Sequence, residues 1–197
     1  MVAVSCAQRF SYEERIEMGC NVKPKTSYVL IWSFRGSILP QLYLQAPDDI
    51  YSFKFNPSDP TIVVGGCYNG LIIVWDISEY SEILKSTNAV DESKKILRTP
   101  TVPYIAVSSI EASHRGVVQD IKWLPALLEL GHTGEPLDIT DSFTTQFVTA
   151  SMDGTIAFWD LKFKKDLKSL DLLWRPFLRV LKISNLLGQF ECTGRIL

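Results

Sequence analysis

The chain has 197 residues, 46% of them hydrophobic and 11% aromatic, a composition that supports a packed core and excludes an intrinsically disordered chain. Twenty basic residues against 22 acidic ones leave a formal net charge of −2, so there is no global basic footprint for nucleic acid. Cys6, Cys20, Cys67 and Cys192 are scattered without a C-x-x-C pair, which argues against a zinc cluster or a small disulfide framework and for reduced thiols.

The first residues, "MVAVSCAQRFSYEER", have no positively charged leader, and no apolar stretch reaches the roughly 18 residues of a membrane span. A soluble, intracellular chain without a membrane partner is expected. Within residues 1–46, "VAVS" reads as one strand, "SYVLIWSF" as the next and "PQLYLQA" as an outer strand. The polar stretch 8–25 between the first two is too long for a tight turn and reads as an insertion.

Residues 61–76, "TIVVGGCYNGLIIVWD", admit a buried helix or two strands folded back on each other. A helix would carry Gly65, Gly66 and Gly70, each costing about 1 kcal/mol relative to Ala. A hairpin puts Asn69-Gly70 where positive φ is tolerated and gives Val and Ile the extended backbone they prefer. The hairpin is expected, buried on both faces because apolar residues run on without alternation. "IYSFKFNP" precedes it as a strand, and "YIAVSSIEA" follows as an outer strand after an insertion at 78–103 with four acidic and four basic residues. A short exposed helix or loop is expected in that insertion.

The pattern then returns. Placing Thr61 on Thr145 superposes "TIVVGGCYNGLIIVWD" on "TQFVTASMDGTIAFWD" without a gap. Val64/Val148, Gly70/Gly154, Ile72/Ile156, Trp75/Trp159 and Asp76/Asp160 are identical, and Asn69 and Asp153 offer the same turn chemistry. "VVQDIKWLP" precedes the second copy as "IYSFKFNP" precedes the first, with an insertion at 126–143. His132 within that insertion reads as an ordinary exposed histidine. This is an internal repeat of strand, turn, strand, tight turn, strand, Trp-Asp.

Such units resemble WD repeats, the blades of a β-propeller. The fold class expected is all-β: an incomplete propeller with about three blades' worth of a larger ring, since propellers close with about four to eight blades. The units fall at 1–46, 47–112 and 113–168, with 169–197 as the start of a further blade and a divergent tail. The resemblance implies a buried hydrogen-bond network of His114, Thr149, Asp153 and Trp159. In it Asp153 accepts from the His114 ring and nearby N–H groups, His114 reaches the Thr149 hydroxyl, and Thr149 the Trp159 indole. In the first copy Gly65 stands at the Thr149 position, Asn69 at that of Asp153 and Ala46 at that of His114, so that unit is expected to lack the network.

The text between repeat signatures is more specific. "LIWSFRGSILPQLYLQAPDDIYSFKFNPSDPTIVVGGCYNGLIIVWDIS", "YIAVSSIEASHRGVVQDIKWLP" and "TTQFVTASMDGTIAFWDLK" resemble the axonemal dynein intermediate chains, above all the inner-arm WD-repeat intermediate chain. The resemblance implies a non-catalytic scaffold in the cytoplasm and the axoneme of a cilium or flagellum. Its implied partners are a dynein heavy chain, another intermediate chain and light chains. No catalytic, metal or cofactor site is expected: "GGCYNG" precedes a strand rather than a helix, so it is no phosphate loop. A generic WD-repeat scaffold such as a ubiquitin-ligase substrate receptor is the alternative, although Ser78 and Lys162 stand where its Trp-Asp-x-Arg pattern has Arg. Asp48, Asp49, Tyr68, Arg115 and Met152 are the exposed loop residues expected to face a partner.

Overall fold

Runs of β-branched and aromatic residues bounded by Asn, Gly and Pro turns become three four-stranded sheets in the computed structural model. It describes residues 2–6, 26–32, 39–85, 99–137, 143–162, 174–181, 183–186 and 189–192. The insertion expected at 8–25 lies outside these residues, as do 86–98 and 138–142 of the other two insertions.

The first sheet joins β1 (Val2–Cys6), β2 (Ser27–Trp32) and β3 (Leu42–Ala46) in antiparallel order. The second joins β4 (Ile50–Phe55), β5 (Ile62–Cys67) and β6 (Ile72–Asp76). Within the stretch read as an insertion at 78–103, a 3-10 turn at Ser78–Tyr80 leads into a short helix at Ser81–Lys85. Its far end is no insertion at all. β7 (Thr101–Val102) adds in parallel to β3, on the outer edge of the first sheet. β8 (Ala106–Val107) then closes the second sheet beside β6.

The third sheet is β9 (Val118–Trp123), β12 (Gln146–Ser151), β13 (Thr155–Asp160) and β14 (Leu178–Leu181). Its last strand corrects the expected boundary at 168. Residues 178–181, read from sequence within the start of a further blade at 169–197, pair with β13 as β8 pairs with β6. The Phe177 N–H donates to Phe158 O at 2.9 Å, the counterpart of Ile105 to Val74 at 2.8 Å. Two small hairpins complete the set: β10 (Glu129–Leu130) with β11 (Pro136–Leu137), and β15 (Ile183–Leu186) with β16 (Gln189–Cys192).

The second and third sheets repeat in register. Ile62 pairs with Asp76 and Val63 with Trp75; 84 residues on, Gln146 pairs with Asp160 and Phe147 with Trp159. The strand before each carries the same irregularity, Ile50 to Ser52 in one and Val118 to Asp120 in the other. That strand is offset by 68 rather than 84, and the 16-residue difference is the loop that holds β10 and β11.

Two layers of core follow from strand alternation. Val63 and Trp75 meet Val29, Ile31 and Leu44 between the first and second sheets. Val64 and Ile72 meet Val118, Phe147 and Trp159 between the second and third. All six residues of β5 are buried, which accounts for its unbroken apolar text. A fully buried large aliphatic or aromatic side chain stabilises a fold by about 1.5–3 kcal/mol. These two layers therefore hold the sheets face to face.

Candidate functional site

The tight turns after β5 and β12 use one device. Gly70 and Gly154 take φ of +89° and +78°. The preceding Asn69 or Asp153 side chain accepts from the N–H two residues on, Leu71 at 3.2 Å and Thr155 at 2.9 Å. At the end of the third strand, Asp76 Oδ1 accepts from Ser78 N–H at 2.9 Å and Asp160 Oδ1 from Lys162 N–H at 2.7 Å. Asn69, Gly70, Trp75, Asp76, Gly154, Trp159 and Asp160, the residues that mark the repeat, thus serve the backbone or the core, with Trp75 and Trp159 fully buried.

Around the second copy, polar side chains close into a buried chain. The Trp159 indole N–H donates to Thr149 Oγ1 at 2.8 Å, and Thr149 Oγ1 lies 2.7 Å from His114 Nε2. On the other side of the ring, Nδ1 meets Thr155 Oγ1 at 2.8 Å, and the Thr155 hydroxyl donates to Asp153 Oδ1 at 2.6 Å. Thr155 is a member that the sequence reading missed. Asp153 Oδ2 stands 3.6 Å from Nδ1, outside hydrogen-bond range, and accepts from Arg115 N–H at 2.7 Å. Asp153 was expected to accept from the His114 ring; the threonine relays that contact.

Donor counting assigns the tautomer. The Thr155 proton points at Asp153, so Nδ1 must carry the hydrogen given to Thr155. Nε2 is then an acceptor, and the Thr149 hydroxyl donates to it in preference to Ala157 O at 3.4 Å. Every donor has one acceptor along the chain. Burial brings the His114 imidazole down from 6.5 to about 4; the Asp153 carboxylate opposes the shift and Arg179 assists it. His114 is accordingly neutral at pH 7, and its approach to Asp153 is no ion pair. For Asp153, burial acts upward but is outweighed by the hydrogen bonds from Thr155 and from Arg115 N–H, which hold it below the usual carboxylate value.

The first copy settles its tryptophan differently. A Cβ on Gly65 would fall 2.6 Å from Trp75 Cη2 and Cζ3, so no threonine fits there. The indole N–H instead crosses to the first sheet and donates to Gln45 O at 2.7 Å. Ala46, the counterpart of His114, is buried beside it.

The residues expected to face a partner gather at one end of the sheets. Tyr68 and Met152 sit in the two tight turns, 39% and 69% exposed, and Arg115 is exposed in the loop ahead of β9. Tyr51 joins them, its ring 5.6 Å from that of Tyr68. Asp48 and Asp49 were expected to be exposed and are half-buried. They shape the loop before β4: Asp48 Oδ1 accepts from Asp49 N–H, and Asp49 O from Tyr68 N–H, both at 2.8 Å. His132 is exposed, as read, and its ring meets Phe177 edge-on at 5.9 Å. Sequence reasoning also missed Gln146, whose amide pairs with both the N–H and the C=O of Leu130 (2.8 and 3.0 Å) and so fastens β10 to the third sheet.

Among the described residues no group of three or more His, Cys, Asp or Glu side chains is placed to hold a metal ion. No helix among them is long and apolar enough to cross a membrane. Cys6 and Cys67 are free thiols, and burial pushes that of Cys67 far above the ordinary range.

Residues 1–169 match the family model described as the dynein axonemal intermediate chain 3 WD40 domain. Among curated proteins, dynein axonemal intermediate chain 3 of Danio rerio is 36% identical over 91% of this chain and 22% of its own length. The Mus musculus protein of the same name is 39% identical over 84% of this chain and 19% of its own length. That of Homo sapiens is 35% identical over 91% and 24%. The chain thus spans about a fifth to a quarter of the relatives it matches. With its repeat register, Trp-Asp strand ends and intervening text all within the matched region, the chain belongs to the WD-repeat family of dynein axonemal intermediate chain 3.

Proposed function

We propose that this chain is propeller material of a non-catalytic dynein intermediate chain, a scaffold that helps assemble and dock a motor in the axoneme of a cilium or flagellum. The observation that carries the reading is the family match across residues 1–169. The geometry supports it from the other side: His114, Thr149, Asp153, Thr155 and Trp159 spend their polar atoms on one another and on the backbone. In this reading the network sets the joint between the second and third units and does no chemistry.

The partners it implies are a dynein heavy chain, a second intermediate chain and light chains, with synthesis in the cytoplasm before assembly on the axoneme. Tyr68, Arg115 and Met152, with Tyr51, form the contact surface in this proposal, while Asp48 and Asp49 hold its loop in place. At the position where a ligase receptor has Arg, Lys162 pairs with Glu129, which fits a structural side chain rather than a recognition one.

The test is an affinity pull-down from ciliated-cell extract, with this chain beside a full-length relative and the retained proteins identified by mass spectrometry. Dynein heavy and light chains should be enriched on the relative. If this chain retains them too, Tyr68→Ala with Arg115→Glu should remove them. Absence of dynein subunits from both baits would overturn the reading.

A further inference from the structure

The insertion that follows β9 crosses the third sheet from its inner strand to its outer one, at the end away from the tight turn. It leaves β9 through the Leu128 N–H, which donates to Pro125 O at 2.9 Å, and folds into the β10–β11 hairpin. Gln146, the first residue of β12, holds both main-chain groups of Leu130 and donates a further amide hydrogen to Asp160 Oδ2 at 3.0 Å. Lys162, just past β13, pairs with Glu129 on β10. The hairpin tip ends against the entry to β14. There His132 meets Phe177 edge-on, and a Cβ on Gly134 would lie 3.4 Å from Leu178 Cδ2.

The second sheet shows what these positions hold where the insertion is missing. Its β4–β5 connection is 16 residues shorter and turns on its own side chains. Asn56 Oδ1 accepts from Ser58 N–H at 2.8 Å, and Asp59 Oδ1 from Thr61 N–H at 3.1 Å. Ile62 stands at the position of Gln146, Ser78 at that of Lys162 and Ile105 at that of Phe177. Three residues thus change together with the insertion, each to one that touches it. Gln146 is only 4% exposed, and a buried amide is tolerated where its hydrogens and oxygen are all met. Leu130 and Asp160 meet them, so Gln146 and β10 are fitted to each other.

A second attachment lies just ahead of β14. Trp174 straps the second sheet by a parallel bridge to Ser108, as β7 straps the first at Leu44, and Trp174 O accepts from Ser109 N–H at 2.8 Å. Beyond that strap, β14 rests on its pairing with β13 and on the hairpin tip.

We propose that the β10–β11 hairpin is a clasp that keeps β14 on the third sheet, with Gln146 as its positioning residue. Hairpin and outer strand then open together as one local unit, while the first and second sheets stay closed.

Hydrogen exchange of the full chain, followed by mass spectrometry, tests this with Gln146→Leu, which puts an apolar residue where the second sheet has Ile62. Losing both bonds to Leu130 should speed exchange at least about fivefold at 129–135 and at 178–181 alike, with 62–67 and 72–76 unchanged. Phe177→Ile, which copies Ile105, should act from the other end and speed exchange at 129–135. Parent-like exchange at 178–181 in a Gln146→Leu chain whose hairpin is released overturns the proposal, because β13 and the Trp174 strap then suffice to hold the strand. A hairpin that keeps the parent's rate overturns it as well. So does acceleration that spreads equally to 62–67, since Gln146 then serves the core at large.

Discussion

Thr149→Val is the sharpest test of the buried chain, because it changes one oxygen to carbon and keeps the shape. Thr149 is fully buried, and its hydroxyl serves the Trp159 indole at 2.8 Å and the His114 ring at 2.7 Å. With valine, the indole N–H loses its acceptor and Nε2 loses its donor. Each buried group left without a partner costs about 1–3 kcal/mol, so the loss should be about 2–5 kcal/mol. Thr149→Ser keeps the oxygen and removes a methyl, which costs about 0.5–1.5 kcal/mol. Urea unfolding at pH 7, followed by far-UV circular dichroism, gives both values. Adding Trp159→Phe to Thr149→Val removes the stranded indole N–H, so the double variant should lose less than the sum of the singles. A Thr149→Val protein within about 0.5 kcal/mol of the parent, or a Thr149→Ser protein as damaged as the valine variant, would refute the reasoning.

Lowering the pH should weaken the fold through His114. Its folded pKa, about 4, lies below the ordinary 6.5, so the unfolded chain binds more protons between the two values. The contribution is whole above pH 6.5 and is lost as pH falls to 4, a loss of about 3 kcal/mol; Asp153, also depressed, extends the fall below its ordinary 3.8. Urea midpoints at pH 7, 5.5 and 4.5 should converge between the parent and His114→Asn, and parallel curves would contradict this. Gly65→Ala should cost about 1–3 kcal/mol, because the added carbon meets the Trp75 ring at 2.6 Å; an unchanged thermal midpoint would sink the close-packing account. Gly154→Ala, in open space at φ +78°, should cost only the left-handed backbone penalty of about 1–2 kcal/mol. Gly70→Ala should cost more, since its Cβ would also lie 2.7 Å from the His114 carbonyl carbon, and the reverse order of melting temperatures would refute the docking of that turn on His114.

What was legible in the sequence was whatever repeats over one continuous stretch. The 84-residue offset carries the Asn69-Gly70 and Asp153-Gly154 turns, the strand registers and the Trp-Asp ends, because local turn chemistry and burial fix all of them. Thr155 escaped for a specific reason: its counterpart is Leu71, so aligning the two copies hides the residue that differs. The β7 strap escaped because two residues show no periodicity, and their partners at Tyr43 and Leu44 lie far back in the chain. The same holds for β14, whose pairing with β13 spans a connection 12 residues shorter than the one from β6 to β8. The loop residues were read by position alone, which is why Asp48 and Asp49 were taken as more exposed than they are.

The two copies show that a buried tryptophan N–H constrains its neighbours in pairs. Where residue 149 is Thr and residue 114 is His, the indole bonds within its own sheet and the histidine extends the chain to the turn. Where those positions are Gly65 and Ala46, the ring lies over the glycine and its N–H reaches the Gln45 carbonyl of the adjoining sheet. Placing threonine at residue 65 alone would push the ring off its seat, and placing histidine at residue 46 alone would bury an imidazole with no threonine to meet it. Each solution is closed to single changes that lead to the other. The second solution also gives something that the first does not: its hydrogen bond runs between sheets, so Trp75 ties the second unit to the first. The third unit, whose indole is satisfied internally, is tied to the second by apolar packing, by the His114 N–H to Gly70 O bond at 3.2 Å, and by the Trp174 strap.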